Sequence, residues 1–232
     1  MLTLETLHID LDGFTLDADF SVETGRRVAV LGPSGAGKST LLAAIAGFQP
    51  VSGRVLWDET DLTPLPPAQR PVTMIFQDNN LFPHLTAAQN VGLGLRPDLR
   101  LSRDDKARVD EALTRVGLGG LGTRKPAALS GGQAARVALA RAVLRHKPVM
   151  LLDEPFGALG PALRDEMLGL VRTLADEVGA TLLMVSHEPE DAKAIAHEVV
   201  LVADGRAHAP VPTAEIFANP PAALRDYLGR EG

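Results

Sequence analysis

One glycine-rich segment carries most of the structural information in this sequence: Gly32-Pro33-Ser34-Gly35-Ala36-Gly37-Lys38-Ser39-Thr40. It matches the pattern G-x-x-x-x-G-K-[ST], in which backbone N–H groups exposed by glycines wrap the β-phosphate of a nucleotide. Lys38 supplies a cation for the β- and γ-phosphates, and the Ser39 hydroxyl is the expected ligand of Mg²⁺. An apolar strand precedes the segment, and a helix is predicted to start at Lys38. This context favours a phosphate-binding loop of nine residues over a chance glycine-rich turn.

Short, continuously apolar runs flank this loop and recur along the chain. They are Val28–Leu31, Met74–Phe76, Val149–Leu152 and Leu182–Val185. Such runs suit parallel strands that are buried on both faces. Helical patterns alternate with them, for example the apolar stripe from Leu163 to Val178. This alternation predicts an α/β fold with a mostly parallel sheet.

Two segments depart from this pattern. Residues 14–22 alternate apolar and polar side chains, which predicts a half-buried strand in an N-terminal antiparallel β portion. Residues 78–147 contain no continuously apolar strand, and we expect an inserted helical subdomain there. Its predicted helices cover residues 87–95, 104–116 and 130–146. The whole chain, 1–232, is then one domain, with residues 1–77 and 148–232 as its nucleotide-binding core.

Polar residues follow three of the predicted strands. Gln77 follows the second, Asp153 and Glu154 follow the third, and His187 follows the fourth after one serine. The carboxyl ends of parallel strands share one edge, where ligands bind. Asp153 is predicted to hold Mg²⁺ through water, and Glu154 to take a proton from an attacking water. Taken singly, a histidine is more often structural and a glutamine a surface residue; the shared edge favours function for Gln77 and His187.

A second candidate anion site is the segment Leu129-Ser130-Gly131-Gly132-Gln133. Ser130 suits the N-cap of the helix that follows, and two glycines at a helix start expose N–H groups at its positive end. The alternative is an ordinary helix cap. Because the chain already has one phosphate loop, a second site suggests that each copy of the chain closes over a nucleotide held by another copy.

The composition excludes several classes of protein. With 45% apolar and 22% charged residues among 232, the chain is typical of a globular domain. No apolar run approaches the roughly 20 residues needed to cross a bilayer, and Met1–Glu5 does not resemble a signal peptide. The absence of cysteine excludes disulfides and thiolate chemistry. A net charge of −6 without a dense basic run argues against nucleic acid as a partner.

Together these motifs resemble the nucleotide-binding subunit of ATP-binding cassette (ABC) transporters over nearly the whole chain. The resemblance implies that Gly32–Thr40 binds ATP and that Ser39, Gln77 and Asp153 serve Mg²⁺. It implies catalytic roles for Glu154, Gln77 and His187, and a signature at Leu129–Gln133 that closes on the partner subunit's ATP. Two copies would then enclose two ATP molecules and drive a transmembrane permease.

Within this family, the chain resembles most the ATPases of bacterial thiamine importers. The segments that carry this likeness are 70–72, 76–82, 84–86, 88–95 and Thr181–His187. It implies a peripheral protein on the cytoplasmic face of the bacterial inner membrane, which a periplasmic substrate-binding protein serves indirectly. Other importers, for iron, sulfate or another small solute, remain alternatives, as do an export or lipoprotein-release ATPase. A small-molecule kinase and a non-transport ABC protein are disfavoured by the signature and by the single cassette.

Four features leave questions for the structure. The family usually has Asp where this chain has Gly160, and bulkier polar residues where it has Ala134 and Ala135. Phe14 is a candidate to stack on adenine, or else a core residue of its strand. The segment 80–85, Asn-Leu-Phe-Pro-His-Leu, is either a groove for a cytoplasmic helix of the permease or a small core of the helical subdomain.

Overall fold

The computed structural model describes residues 1–11 and 13–230. Within these residues the strands are β1 Leu2–Leu11, β2 Phe14–Val22, β3 Arg27–Leu31, β4 Ser52–Trp57, β5 Thr60–Asp61, β6 Val72–Ile75, β7 Val149–Asp153, β8 Thr181–Val185, β9 Glu198–Ala203, β10 Arg206–Ala207 and β11 Val211–Pro212. The helices are α1 Lys38–Ala46, α2 Ala87–Gly92, α3 Arg103–Arg115, α4 Gly131–Leu144, α5 Pro161–Val178, α6 Pro189–Ile195, α7 Thr213–Ala218 and α8 Ala222–Arg230.

The centre of the molecule is a parallel sheet in the order β9-β3-β8-β7-β6. Its strands are almost fully buried because helices cover both faces. The four apolar runs of the sequence form four of these strands. The predicted α/β fold is therefore confirmed, and β9 is a fifth parallel strand that the sequence analysis did not identify.

The N-terminal region is antiparallel, as predicted. Strands β5, β4, β1 and β2 follow one another in the sheet with antiparallel pairing. The short strand β10 joins them to the parallel centre, since it runs parallel to β2 and antiparallel to β9. The β2 alternation holds: its apolar residues from Leu16 to Val22 are buried, and the residues between them are exposed.

Residues 78–147 hold the helices α2, α3 and α4 and no strand. Each begins with a capping box, in which the N-cap hydroxyl and the side chain three residues later satisfy each other's backbone N–H groups. The pairs are Thr86 with Gln89, Ser102 with Asp105, and Ser130 with Gln133. Helix α2 ends at Gly92, three residues earlier than predicted. Among the described residues, no helix has the length and apolar character that a membrane span requires.

Candidate functional site

The phosphate loop connects β3 to α1 and contains three glycines with positive φ, two of which have no room for a side chain. Gly32 has φ 148°, and a Cβ there would lie 2.0 Å from the Val202 carbonyl oxygen. Gly37 has φ 100°, and its Cβ would lie 2.4 Å from the Phe14 ring. A side chain at either position would therefore displace its neighbours. The Lys38 side chain lies inside the loop, only 4% exposed, and its ammonium donates to the carbonyls of Gly32 and Pro33 at 2.7 and 2.9 Å.

Asp153 lies directly beside this loop at the end of β7. The Ser39 hydroxyl, on the first turn of α1, donates to Asp153 Oδ1 at 2.8 Å. Burial raises the pKa of Asp153, against the Ser39 hydrogen bond that lowers it, and the adjacent Glu154 raises it further. Two of the three residues predicted to serve a cation, Ser39 and Asp153, thus form one oxygen-rich pair at the edge of the sheet.

Glu154 and His187 meet at the same edge. Glu154 Oε1 lies 2.6 Å from His187 Nε2. The glutamate has a left-handed backbone, φ 46°, which is uncommon for a residue with a side chain. Its N–H donates to the Val185 carbonyl at 3.2 Å, so the turn after β7 is tied to the end of β8. This turn brings the carboxylate to the histidine that follows β8.

A cleft of about 320 Å³ joins the loop to this pair. It is lined by Phe14, Ser34, Gly35, Gly37, Lys38, Ser39, Thr40, Glu154 and His187. Gln77 lies outside it and lines a neighbouring cavity of about 200 Å³, which also contains Glu154 and His187. No residue of 129–133 lines either cavity. The structure thus brings loop, glutamate and histidine together, sets Gln77 next to them, and holds the second glycine segment apart.

The comparison with known families explains this arrangement. The sequence matches the ABC transporter family over residues 16–157, which is more than half of the chain. The chain belongs to the ABC transporter family. The resemblance drawn from the motifs is confirmed, and the chain is an ATP-binding cassette ATPase.

Relatives match over their full length. A protein named thiamine import ATP-binding protein from Cereibacter sphaeroides is 62% identical over 230 residues, which cover 99% of this chain and 100% of the relative. Proteins of the same name from Ruegeria sp. and Yersinia pseudotuberculosis are 57% and 50% identical over 99% of this chain, and the matches cover 100% and 97% of those relatives.

Solved structures of ABC cassettes share the fold. A dimeric ATP-binding cassette in a post-hydrolysis state, bound to ADP and Pi, matches with a TM-score of 0.80 and 28% identity. A dimeric bacterial ABC transporter cassette matches with a TM-score of 0.79 and 29% identity. Each match covers 92% of this chain and 99% of the solved chain.

The segment 129–133, predicted to be the ABC signature, leads into α4 on the surface of the molecule. Ser130 is exposed and caps the helix, with its hydroxyl accepting from the Gln133 N–H at 3.3 Å. Gly131 is exposed, whereas Gly132 is buried, and a Cβ on it would lie 2.5 Å from Leu163. Leu129 is partly buried against the core. The segment therefore presents a capped helix start, outside the cleft of its own chain.

The residues in doubt after the sequence analysis have clear positions in this ABC cassette. Phe14 is half-buried, packs against Gly37 and lines the cleft, so its ring belongs to the site as well as to the strand. Gly160 is the N-cap of α5 and makes no side-chain cap hydrogen bond. Ala135 is buried and Ala134 is partly buried at the start of α4.

Two residues that the sequence analysis missed shape the loop after Gln77. Arg141, on α4, donates to the carbonyls of Asn79 and Asn80 at 3.0 and 2.9 Å, and both asparagines have positive φ. Asn90 is fully buried and bonds the backbone of Phe82 through its Oδ1 and Nδ2 atoms, at 2.8 and 3.1 Å. Arg141 could have been noticed as a charged residue within the apolar run of α4. Nothing in the local sequence marks Asn90 as buried.

Proposed function

We propose that this chain is the ATP-hydrolysing subunit of a bacterial thiamine importer. The observation that carries the chemistry is the Glu154–His187 pair at 2.6 Å, at the edge of a cleft that holds the phosphate loop. Support for the substrate comes from full-length relatives named thiamine import ATP-binding proteins, at 62%, 57% and 50% identity. Import of iron, sulfate or another small solute is the competing assignment, because the ATPase does not touch the cargo.

The residues around Ser39 fit a magnesium ion with ATP. The Ser39 hydroxyl and the Asp153 carboxylate already lie within 2.8 Å of each other, and hard oxygen donors of this kind suit Mg²⁺. We propose Ser39 and Asp153 as its protein partners, with Gln77 from the adjacent cavity as a third. When bound, the ion would neutralise charge on the β- and γ-phosphates. Asp153, whose pKa is raised by burial, would gain a compensating cation.

Hydrolysis then follows from the remaining groups of the cleft. Backbone N–H groups of 32–40 and the Lys38 ammonium hold the phosphates and stabilise negative charge that develops on them. Glu154 takes a proton from the attacking water while the oxygen of that water bonds to the γ-phosphorus. The bond between the γ-phosphorus and the β–γ bridging oxygen breaks, and ADP leaves. His187 Nε2 donates to Glu154 Oε1 and orients the carboxylate for this step.

Two copies of the chain complete the site. The signature segment 129–133 lies outside the cleft of its own chain and has an exposed cap at the positive end of α4. We propose that it closes on the γ-phosphate of ATP held by a second copy. The dimeric state of both solved relatives supports this assembly.

The permease would contact the loop at residues 80–85. Phe82 is 45% exposed, whereas Leu81 packs partly against the core. Arg141 and Asn90 hold the loop backbone, so its exposed apolar surface is formed before any partner binds.

We propose that the helical subdomain, 78–147, transmits this contact to the nucleotide-binding core, 1–77 and 148–232. The subunit then lies on the cytoplasmic face of the inner membrane. A periplasmic binding protein would deliver the solute to the permease.

Phe82→Asp tests the permease contact. We expect the variant to lose stimulation of ATPase activity by the reconstituted permease and to keep its basal activity and ATP affinity. Phe82→Leu, which retains an apolar surface, is the matched control and should keep stimulation. Loss of ATP binding in Phe82→Asp would instead assign Phe82 to the core of the helical region.

Deletion of the gene in a thiamine auxotroph tests the substrate. We expect the external thiamine needed for growth to rise, and the wild-type gene, but not a Glu154→Gln form, to restore uptake of labelled thiamine. Uptake of labelled iron and sulfate, measured in the same strains, should not change. Normal high-affinity thiamine uptake in a deletion strain without a second thiamine transporter would reject thiamine and leave the ATPase assignment in place.

A further inference from the structure

The segment 186–188 carries His187 between β8 and α6, and neighbouring helices hold it on both sides of the histidine. The Ser186 hydroxyl donates to Asp191 Oδ2 of α6 at 2.6 Å. Arg164 of α5 forms an ion pair with Glu188, with 3.0 Å between Nη1 and Oε1. These contacts fix the residues before and after the histidine. The Glu188 N–H, which shares a peptide unit with the His187 carbonyl, donates to the Ser186 hydroxyl at 3.0 Å. The N–H side of this peptide is thus held locally, and its carbonyl side is held by another group.

That group is Tyr227 of the C-terminal helix α8. Its hydroxyl donates a hydrogen bond to the carbonyl oxygen of His187. Tyr227 is the single tyrosine of the chain, is only 5% exposed, and packs in an apolar cluster with Leu31, Ala192 and Leu201. A buried tyrosine typically combines an apolar ring contact with a hydroxyl that finds a polar partner. Here the ring is anchored in the core, and the hydroxyl reaches the histidine backbone.

This hydrogen bond constrains the direction of the imidazole. The orientation of a residue's carbonyl is set by its own ψ torsion, so a donor held in the core restricts ψ at His187. The Cα–Cβ bond starts from the same Cα, so restricting ψ also restricts the direction in which the side chain leaves the backbone. A rotation of about a tenth of a radian at the Cα moves a ring nitrogen by roughly half an ångström, which is enough to lengthen a close hydrogen bond. The contact between His187 Nε2 and Glu154, 2.6 Å, therefore depends on the tethers of the segment.

We propose that Tyr227 is a positioning residue for ATP hydrolysis, which acts through His187 from the C-terminal helix. The inference rests on the proposed role of His187 in orienting Glu154. It assigns to α8 a function in turnover. Residues of α8, Tyr227 among them, line a separate cavity of about 490 Å³ with residues 33–36 of the phosphate loop, but they do not line the cleft that contains Lys38, Glu154 and His187. Phenylalanine at this position would keep the apolar packing and remove the donor.

Tyr227→Phe is the first test. We expect kcat for ATP hydrolysis by the protein to fall about threefold to tenfold, the range for loss of one neutral hydrogen bond, while KM for ATP stays near wild type. The thermal unfolding midpoint should fall by only a few degrees, because one carbonyl loses its donor. Arg225→Gln, an exposed change on the same helix, is the matched control and should leave kcat unchanged. Wild-type kcat in Tyr227→Phe would overturn the inference.

A double-mutant cycle with His187→Ala separates positioning from general stability. If Tyr227 acts through the histidine, Tyr227→Phe should lower the residual kcat of His187→Ala by less than twofold, since the group that it positions is gone. The same threefold to tenfold loss in both backgrounds would overturn the inference. Wild-type turnover in His187→Ala would reject the proposed role of His187 and the inference with it, whereas a defect in His187→Ala beside a normal Tyr227→Phe would reject the inference alone.

Discussion

At the residue scale, the predicted general base is the sharpest target. Glu154→Gln keeps the size and the hydrogen-bonding contact to His187 but cannot accept a proton from water. We expect ATP binding to remain and turnover to fall by about two orders of magnitude or more, as for loss of a general base. Binding of a fluorescent ATP analogue and phosphate release measure the two effects.

Lys38→Ala is the contrasting change at the same site, because it removes a proposed direct contact to phosphate. It should weaken ATP binding itself, before any effect on the chemical step. Turnover at the wild-type rate in Glu154→Gln would show that another group takes the proton.

Asp153 gives a prediction about stability and pH. Burial raises its pKa in the folded protein above the unfolded value. The folded state therefore binds this proton more tightly, and the associated stability is present at acid pH and lost as pH rises through the folded pKa. We expect nucleotide-free Asp153→Asn to unfold at a higher temperature than wild type at neutral pH, with a smaller difference at acid pH.

Thermal unfolding between about pH 4 and about pH 8 checks this prediction. Glu59→Gln, at an exposed turn, is a control that should show no such trend. With ATP and Mg²⁺ added at neutral pH, wild type should instead unfold at the higher temperature, because only wild type has the carboxylate that partners the cation. An Asp153→Asn protein that is less stable than wild type at every pH would show that burying the ionised Asp153 carboxylate does not destabilise the folded protein.

At the scale of elements, Arg70 stabilises the end of the phosphate-loop helix. Its buried guanidinium donates to the carbonyls of Ala44 and Ile45, in the last turn of α1, at 3.0 and 2.8 Å. It also donates to the carbonyls of Thr63 and Leu65, at 3.2 and 2.9 Å. One side chain thus satisfies four backbone acceptors and joins α1 to the loop that precedes β6.

Arg70→Met should therefore destabilise the fold by roughly 3 kcal/mol, because it leaves several buried carbonyls without a donor. Urea unfolding measures the change. Arg54→Met, on the surface of β4, is the matched control and should change stability by less than about 1 kcal/mol, as expected for an exposed ion pair. Equal stability of the two variants would show that water replaces the guanidinium at α1.

The strands and helices also differ in how well the sequence predicts them. Four parallel strands were found because each contains a short apolar run, and three of these runs end before a polar residue. Strand β1 escaped because its buried residues change phase: Leu2 and Leu4 are followed by Leu7 and Ile9, with a register shift between Leu4 and Leu7. A bulge of this kind breaks simple alternation. The start of α4, capped by Ser130, and the start of α5, with Pro161 in its first turn, were predictable because capping and proline act locally.

The contacts that link distant elements could not be predicted. Tyr227 and His187 are 40 residues apart, and Arg141 and Asn80 are 61 apart. Each pair joins a backbone carbonyl to a side chain from another element. Any residue has such a carbonyl, so the local sequence does not mark it. The residues proposed to bind phosphate could be identified from the sequence because that chemistry requires particular side chains at fixed spacing.

At the scale of the whole molecule, Gly160 bears on communication between two copies. It is the N-cap of α5, with φ −66° and ψ 158°, and a Cβ added to it would meet nothing within 4 Å. The backbone is therefore already suited to aspartate, the residue usual in the family at this position. Asp would cap α5, place negative charge at its positive end, and add an acceptor that faces the phosphate loop of the second copy in the proposed dimer.

Gly160→Asp should accordingly raise the Hill coefficient for ATP in steady-state hydrolysis, because binding at one site would then order a contact to the other. Gly160→Asn separates the two effects, since it can cap α5 without adding charge. We expect both variants to unfold at slightly higher temperature, as N-cap replacement of glycine is worth a few tenths of a kcal/mol, and the aspartate variant alone to gain cooperativity. An unchanged Hill coefficient in Gly160→Asp, beside raised stability in both, would confine residue 160 to capping its own helix and leave the coupling of the two ATP sites to another contact.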